Sequence, residues 1–302
     1  MADELHPAAR RVADALVGTD DPVAAVVATS GADLTSFLLE VAQRRAAAVT
    51  PAEIVRRLRD DRLAEPGAVD ARALHRTAAR LLDALPTDVE VVELSPVAPL
   101  GTCSAVATVD QKKIVSTTRG SEVAADPTNA LAAIAASRAD PDARLAAVQR
   151  VLRTQPFGAI GQQHFTVLGL VTTGRDRGDL GFERESLVTM LRALTDALSA
   201  CTIGPVELRI TSLRDAFTAG LADDARDALH PSVSIVADPD RTSGRGYYCD
   251  LCFKVVARPG PEEVEVGDGG FTDWSALLTG DRKRRTLIAG LGVDRIASLA
   301  TG

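Results

Sequence analysis

The most informative stretch of the chain is TLIAGLGVDRIASL at residues 286–299, where an apolar strand pattern runs directly into a helical one. Gly290 and Gly292 lie where the strand ends, and Arg295 falls in the first turn of the helix. Glycines at such a junction let a ligand approach the backbone, and the arginine can stack on a base or reach a phosphate. A tight strand-to-helix turn with a surface arginine produces the same pattern, so both interpretations stay open.

Upstream of this stretch, a long β pattern covers residues 246–257 (GYYCDLCFKVVA), and residues 262–270 (EEVEVGDGG) are its predicted hairpin partner. The glycine-rich segment GDGGFTDW (267–274) overlaps and follows that partner. The chain has only 7 Phe, 2 Tyr and 1 Trp, so the adjacent pair Tyr247 and Tyr248 is conspicuous. Neighbours on a strand are expected to face opposite sides of the sheet. The pattern predicts either a pocket wall or ordinary core aromatics.

Further upstream, two strand-like segments, VLRTQPF (151–157) and QQHFTVLGLV (162–171), are joined by a short loop. Arg153 and Gln155 lie two residues apart, so they share a face if this segment is extended, and the returning strand brings His164 and Phe165 opposite them. A buried arginine needs an anion, and its planar fork suits a phosphate or a carboxylate. A structural carboxylate would satisfy it equally well.

The order of the elements predicts an α+β fold with a mainly antiparallel sheet flanked by helices, because hairpin-like strands dominate over regular βαβ units. A Pro/Gly linker near 64–70 separates a helical N-terminal region, 1–68, from a core, 69–302. Within the core the patterns predict helices that include 126–137, 141–153 and 181–202, and short strands at 106–111 and 112–118.

The composition excludes several classes of protein. Among 302 residues, 34 Lys and Arg stand against 41 Asp and Glu, a net charge of −7 that argues against broad electrostatic binding of nucleic acid. No segment approaches the ~18 apolar residues of a membrane span, and the N-terminus lacks a signal-peptide pattern. Four cysteines fit a reducing compartment, so we expect a cytoplasmic protein with no membrane contact.

The common nucleotide and zinc motifs are missing from the sequence: it has no GxxxxGK[ST], no GxGxxG between a strand and a helix, and no HExxH. Cys249 and Cys252 form a CxxC pair, but no second pair or suitable histidine accompanies them. Because residues i and i+3 on a strand point to opposite faces, core packing is favoured over a metal or redox role for this pair. The sequence leaves a metal site unknown.

Taken together, the segments resemble the catalytic core of class II aminoacyl-tRNA synthetases, most closely histidyl-tRNA synthetase and its paralogues that lack the anticodon-binding domain. The resemblance covers about residues 70–302. VELSPVAPLG looks like motif 1, LRTQ with the following HF like motif 2, and AGLGVDR like motif 3. Three further stretches are similar to parts of the histidyl substrate pocket, namely ADPTNALA (125–132), SGRGYYCDLCF (243–253) and DGGFTDW (268–274).

The resemblance implies roles for individual residues. It implies ATP and Mg²⁺ as cofactors, with Arg153 and Arg295 as the catalytic residues. The ATP-binding residues it implies are Arg153, Gln155, His164, Phe165, Gly292 and Arg295. The substrate-binding residues it implies are Glu122, Asp126, Thr128, Ser243, Arg245, Tyr247, Tyr248, Gly269 and Gly270. It also implies a homodimer through the strand region at 88–100, by analogy with motif 1.

The sequence also departs from the family pattern. Ser243 stands where the histidyl enzymes begin the paired-tyrosine motif with an arginine, and Arg245 is the candidate substitute two residues later. Gln155 replaces the motif 2 acid, and Val167 stands where the substrate-reading glutamine is expected, so histidine is not the expected substrate. The chain ends just after the motif 3-like segment and leaves no room for an anticodon-binding domain, so tRNA is not the expected partner.

Three functions compete on these observations. The first is ATP-dependent activation of an amino acid or related small carboxylate as an acyl-adenylate. Transfer to a non-tRNA acceptor would follow, for example to a carrier protein or another protein. The second is a non-catalytic paralogue acting as a regulatory subunit, and the third is tRNA aminoacylation or modification. Activation rests on the presence of both Arg153 and Arg295, and the regulatory interpretation rests on the altered motif 2 and substrate positions.

Overall fold

The computed structural model of the protein describes residues 5–155, 162–214, 219–229, 233–244 and 246–300. Its centre is an eight-stranded sheet with the spatial order β1-β4-β5-β10-β9-β8-β6-β7. Its strands are β1 Glu90–Val91, β4 Ala143–Leu152, β5 His164–Arg175, β6 Val206–Ser212, β7 Ser234–Ala237, β8 Cys249–Ala257, β9 Val264–Thr272 and β10 Arg284–Gly292. The α+β class with a mainly antiparallel sheet is therefore confirmed.

The five inner strand pairings are antiparallel, and the edge strands β1 and β7 pair in parallel with β4 and β6. A separate two-stranded sheet joins β2 (Val97–Pro99) to β3 (Ser121–Val123). A single parallel strand at each edge of an antiparallel sheet requires long connections, and these connections carry the helices.

Helices cover both faces of the sheet. One face packs against α5, α8, α9 and α11 around a core that includes Leu81, Leu168, Leu191 and Phe253. The other face packs against α6, α7 and α10 around Leu131, Leu145, Ile288 and Trp274. The helices are α5 Ala71–Asp83, α6 Thr102–Val106, α7 Pro127–Ser137, α8 Gly181–Ser199, α9 Ala219–Ala228, α10 Trp274–Thr279 and α11 Val293–Ala300.

The N-terminal residues form four helices, α1 Pro7–Ala15, α2 Pro22–Val27, α3 Gly31–Ala47 and α4 Pro51–Asp60. Three of them begin with a capping side chain followed by proline, the arrangement that the sequence shows at Thr50 and Pro51. Among the described residues 5–60, only Ala8, Ala9 and Val12 are buried. None of the helices in the described part of the chain is long and apolar enough to span a bilayer.

The linker between these helices and the core lies against the start of β5. The Gln162 side chain donates to the Pro66 carbonyl and accepts from the Ala68 N–H, each at 3.0 Å. His164 Nε2 lies 2.6 Å from the Glu65 carbonyl oxygen. The division of the chain at residue 68 stays a prediction.

The prediction of a helix at 141–153 is wrong, because this segment is strand β4. Its Ala, Leu, Arg and Gln residues favour a helix in isolation. In the fold the segment lies between β1 and β5, where Leu145 and Ala147 pack on one face and Ala146 on the other. Burial on both faces of a sheet therefore outweighs the local preference.

Two more local predictions are corrected by the structure. The segment at 106–111 is no strand, because Val106 ends α6 and Gln111 begins a single 3₁₀ turn. The segment at 112–118 makes only an isolated bridge, between Ser116 and Glu122. Arg153 and Gln155 also do not lie on one strand, because β4 ends at Leu152.

Candidate functional site

A row of register partners crosses the centre of the sheet on the α7 side. From β4 to β8 it runs through Ala147, Gly169, Gly290, Asp268 and Lys254. Side chains of register partners in adjacent strands project from the same face of the sheet. The two glycines therefore place no side chain on the face from which the Asp268 side chain projects. The candidate site is built on that row.

The two glycines of the row differ in what lies above them. A Cβ atom at Gly169 would meet Pro127 Cγ at 2.7 Å and Thr128 Cγ2 at 3.3 Å, so the start of α7 rests directly on this residue. A Cβ at Gly290 would meet only Val167 Cγ1, at 3.5 Å. We call the open space over Gly290, between the start of α7 and Asp268, the central cleft.

Arg153 lies on the α7 side of the central cleft. Its Nε donates to the Ala125 carbonyl at 2.8 Å, and one terminal nitrogen contacts Asp126 Oδ2 at 3.3 Å. The guanidinium carbon lies 5.3 Å from the centre of the Phe165 ring. The side chain is 30% exposed, so this guanidinium and an aromatic ring meet within reach of solvent.

Asp126 is the N-cap of α7 and holds Arg153 in place. Its Oδ1 accepts from the Thr128 N–H at 2.9 Å and from the Thr128 hydroxyl at 2.6 Å, while Oδ2 contacts Arg153. An aspartate followed by proline is a strong helix start, so the sequence alone fixes this carboxylate at the helix terminus. Both of its oxygens are engaged inside the protein.

The paired tyrosines both lie on the α7 face, which corrects the expectation that one faces each side. The two rings meet edge to face with centres 4.9 Å apart, and the Tyr247 ring meets Trp274 at 5.5 Å. The pair precedes β8 and lies in a turn in which both N–H groups donate to the Gly244 carbonyl. Gly244 has a φ of +80°, a conformation that permits the turn but suits few other residues.

Asp268 and Arg241 form the opposite side of the central cleft, and neither is among the residues that the sequence predicts. Arg241 contacts Asp268 Oδ2 at 3.3 Å and donates to the Ser243 carbonyl at 2.9 Å. The Tyr248 hydroxyl donates to the same Asp268 oxygen at 3.1 Å. An arginine six residues before the tyrosines and an acid just before the double glycine were the available signals.

Arg241 and Asp268 differ strongly in their exposure to solvent. The Arg241 side chain is 3% exposed, with its guanidinium 5.6 Å from the Tyr248 ring centre, whereas the Asp268 side chain is 45% exposed. The protein crowded around Asp268 raises the pKa of its carboxyl by desolvation, which the charge of Arg241 and the Tyr248 hydrogen bond only partly offset. Burial raises the pKa of Tyr247 and of Tyr248, so both phenols stay protonated.

Charges on both sides of the central cleft act on Tyr247. After burial, the largest contributions to its raised pKa come from the negative charges of Asp126 and Asp268, and Arg153 opposes them. Asp126 also contributes to the raised pKa of Asp268. The structure therefore brings Arg153, Asp126, Tyr247 and Asp268 into one electrostatic neighbourhood.

Glu122 is fully buried and anchors the start of α6. Its two oxygens accept from the Cys103 and Gly101 N–H groups, each at 2.8 Å, and from Gln111 Nε2 at 3.0 Å. Burial opposes ionisation, but the hydrogen bonds from Cys103, Gln111 and Gly101 together lower the pKa of this carboxyl. Its oxygens serve the fold, so it is a poor acceptor for a substrate amino group.

The remaining nucleotide-side predictions are placed as follows. His164 projects away from Phe165, with its Nδ1 accepting from Arg150 Nε at 3.0 Å. Arg295 is exposed at the start of α11 and donates to the Glu265 carbonyl at 2.7 Å. Gly292 pairs with Val167 at the end of the central cleft, and Gln155 is half-buried beyond the end of β4.

The remaining substrate-side predictions fall into two groups. Gly270 makes room for Tyr248, because a Cβ there would approach the ring to 2.7 Å, and Gly269 is enclosed by Phe253 and the backbone of β10. Ser243 is exposed and contributes its carbonyl to Arg241. Arg245 lies outside the described residues.

The cysteines form no common site. All four are free thiols; Cys252 packs on the α7 face and Cys249 on the opposite core. Burial raises the pKa of Cys249 and of Cys103 to about 12. Within the described ranges, no group of three His, Cys, Asp or Glu side chains is arranged to hold a metal ion.

The fold is similar to that of the class II aminoacyl-tRNA synthetase core, and the resemblance inferred from the motifs is confirmed at the level of the fold. Similar solved structures include histidyl-tRNA synthetases and a protein described as an ATP phosphoribosyltransferase regulatory subunit/histidyl-tRNA synthetase. No protein-family model matches the sequence, and no curated protein matches it.

Three solved structures illustrate the likeness. One is described as an ATP phosphoribosyltransferase regulatory subunit/histidyl-tRNA synthetase from Bacillus halodurans, with a TM-score of 0.58, 14% identity and coverage of 79% of this chain and 82% of that one. The histidyl-tRNA synthetase from Nostoc has a TM-score of 0.61 and 12% identity, with coverage of 79% of this chain and 74% of that one. The histidine–tRNA ligase subunit from Alicyclobacillus acidocaldarius has a TM-score of 0.60 and 13% identity, with coverage of 78% of this chain and 95% of that one. At these identities, the likeness is one of fold.

Proposed function

We propose that this chain binds ATP and activates an amino acid or related small carboxylate as an acyl-adenylate, with transfer of the acyl group to a non-tRNA acceptor. The observation that carries the proposal is the meeting of Arg153 and Phe165 at the solvent-accessible side of the central cleft, 5.3 Å from guanidinium carbon to ring centre. An aromatic face suits an adenine ring, and a guanidinium fork suits a phosphate.

The ion pair of Arg153 with Asp126 is compatible with ligand binding. Its 3.3 Å separation is long for a charged contact, and both side chains are partly exposed, at 30% and 24%. Such pairs contribute little to stability, so a phosphate can share or replace the carboxylate at small cost. The Ala125 carbonyl continues to orient the guanidinium in that event.

The proposed reaction needs charge stabilisation rather than proton transfer. The substrate carboxylate oxygen attacks the α-phosphorus, the new C–O–P linkage forms, and pyrophosphate leaves with the electron pair of the broken P–O bond. Arg153 would hold the charge that develops on the phosphoryl oxygens. Arg295, at the start of α11 beside β5, is the second proposed cation.

The described residues do not form a metal cage, since no three ligating side chains converge within them. Mg²⁺ commonly keeps most of its contacts to water and substrate phosphates. In this proposal it would therefore be delivered with the nucleotide, and no step is derived from it.

The test is ATP–pyrophosphate exchange with a panel of amino acids and small carboxylates. Arg153→Met and Phe165→Leu are expected to abolish exchange, because they remove the phosphate and adenine contacts. Arg175→Met is the matched control, since Arg175 also pairs with an aspartate, Asp281, but lies at the far end of β5. Absence of both exchange and calorimetric ATP binding in the wild type would refute the proposal.

A regulatory subunit is the alternative, and one observation favours it. Both proposed cations already have internal partners, Arg153 with Asp126 and Ala125, and Arg295 with the Glu265 carbonyl. Arginines whose hydrogen bonds are already made within the protein do not require a ligand. This favours a fold whose role is to assemble with a partner protein. Affinity purification at native expression tests this alternative, which requires a stable stoichiometric protein partner and no exchange activity.

A homodimer through residues 88–100 is the proposed assembly. This region presents Val91, Val97 and Leu100, which are 48%, 40% and 53% exposed. Isologous burial of such a patch is the common route to symmetric dimers. Sedimentation analysis should show a dimer for the wild type and a monomer for Leu100→Asp; a wild-type monomer at micromolar concentration would contradict the assembly.

A further inference from the structure

The two aspartates that border the central cleft differ in what they can still bind. Asp126 uses Oδ1 for the Thr128 N–H and hydroxyl and Oδ2 for Arg153. Asp268 receives both of its contacts, from Arg241 and from the Tyr248 hydroxyl, on the single oxygen Oδ2. None of the residues described donates a hydrogen bond to Asp268 Oδ1, and the side chain is 45% exposed.

The open oxygen is held by rigid neighbours. Arg241 is 3% exposed and lies 5.6 Å from the Tyr248 ring, and that ring rests on Gly270, where a Cβ would approach it to 2.7 Å. Because both donors of Asp268 are fixed by burial, the carboxylate cannot turn freely toward solvent. Its unused oxygen is therefore a preorganised acceptor.

The distance across the central cleft suits a small molecule. Asp268 and Gly169 are both register partners of Gly290, so they are two strand spacings apart, roughly 10 Å. The start of α7, with Asp126, covers Gly169, and Val167 and Gly290 form an apolar floor between the two sides. Tyr247 lies on the same face of the sheet, where its ring packs against Tyr248 and Trp274.

The geometry points to Asp268 as the residue that selects a substrate carrying an ammonium group, which its Oδ1 would accept while the substrate carboxylate points toward Arg153. This inference rests on the proposed function and narrows its substrate, an amino acid or related small carboxylate, to one that carries an ammonium group. The ammonium group is either the α-amino group or a side-chain amine, and both have the same chemistry at this oxygen.

Binding of amino acid amides tests the inference without requiring catalysis. Glycinamide, L-valinamide and L-lysinamide keep the ammonium group and lack the carboxylate, so their affinity can be measured by calorimetry even if no exchange activity exists. The wild type should bind at least one of them, and Asp268→Asn should weaken that binding at least tenfold. Preference for lysinamide over valinamide would identify a side-chain amine as the recognised group.

The matched control is Asp240→Asn, which changes an exposed aspartate adjacent to Arg241 in sequence. It should bind the amides as the wild type does. Isovaleramide, the des-amino analogue of valinamide, should bind neither protein. Circular dichroism and urea unfolding of Asp268→Asn should show a folded protein, and Asp268→Glu, which retains the charge, should restore part of the affinity.

Two results would overturn the inference: failure of all three amides to saturate the wild type, or equal affinity of Asp268→Asn and wild type. Neither result would touch ATP binding at Arg153 and Phe165. Loss of exchange and ATP binding with amide recognition intact would instead remove the proposed function and leave the ammonium site standing.

Discussion

Each side of the central cleft carries an arginine–aspartate ion pair, and the two pairs expose opposite charges to the cleft. On the α7 side, Arg153 is 30% exposed and its partner Asp126 has both oxygens engaged. On the β9 side, Arg241 is 3% exposed and its partner Asp268 keeps one oxygen open. The first pair thus offers a cation to the cleft and the second an anion.

The difference follows from what each pair is built on. Asp126 caps a helix, a duty that uses a carboxylate oxygen and leaves the arginine toward solvent. Asp268 lies on a strand beside glycines, and its arginine is enclosed by the tyrosine turn. Equal numbers of charges therefore give two sites of opposite polarity, which suits a zwitterion.

The largest expected effect is on stability. Arg241→Met should destabilise the fold by about 3 kcal/mol, because it removes a buried charge that holds Asp268 and the tyrosine turn. Arg153→Met should cost about 1 kcal/mol or less, since its pair is solvent-accessible. Urea unfolding of both variants measures the difference, and equal costs would show that the two pairs are structurally equivalent.

For ATP affinity, the order of the two variants should be reversed, with the larger loss in Arg153→Met. Arg153→Met is expected to weaken ATP binding by about 1.5–3 kcal/mol, the range for a hydrogen bond to a charged group. Arg241→Met, where it folds, should change ATP affinity much less, because its guanidinium is enclosed away from Phe165. Calorimetric titration with ATP decides the matter; a larger loss in Arg241→Met would place the phosphates on the β9 side.

Alanine substitutions at Gly270 and Gly290 should differ in their effect on the free energy of unfolding. Gly270→Ala should destabilise by about 1–3 kcal/mol, because its Cβ would meet the Tyr248 ring at 2.7 Å and the Leu251 carbonyl at 2.8 Å. Gly290→Ala should change stability by about 0.5 kcal/mol or less, since only Val167 is near, at 3.5 Å. Urea midpoints test this, and similar losses in both would mean that no cleft exists over Gly290.

The smallest effect concerns pH. Desolvation raises the pKa of Asp268, so its carboxyl takes up a proton at a higher pH than an ordinary aspartate, whose pKa is about 3.9. Ammonium binding requires the ionised carboxylate, so valinamide affinity should fall as pH drops through the raised pKa. Titrations from about pH 8 to about pH 4 should show this acid limb in the wild type and lose it in Asp268→Asn.

Much of the fold follows from local sequence. The strand-to-helix junction at 284–300, the long helix α8 and the start of α7 at Asp126 and Pro127 are all as predicted, because capping and periodicity act over a few residues. Gly290 in the floor of the central cleft also lies within the segment that the sequence singled out. These signals indicate individual elements, whereas the likeness to a class II synthetase core came from the resemblance of the motifs.

Part of the site was beyond reach of the sequence. The segment at 141–153 has a helix-forming composition, and only its place between two strands makes it β4. The paired tyrosines share one face because they lie in a turn before the strand rather than in it. Sequence periodicity assumes regular elements, so it fails where a turn changes the direction of the chain.

By itself, the sequence determined the α+β class, the capped start of α7 with Asp126, and the segments that border the cleft, since each depends on short-range preferences. Only the tertiary structure decided that Arg241 and Tyr248 both meet Asp268, across 27 and 20 residues of chain, and that one oxygen of Asp268 stays open. Which charges neutralise one another depends on strand register and burial, and both are set by the packing of the whole sheet.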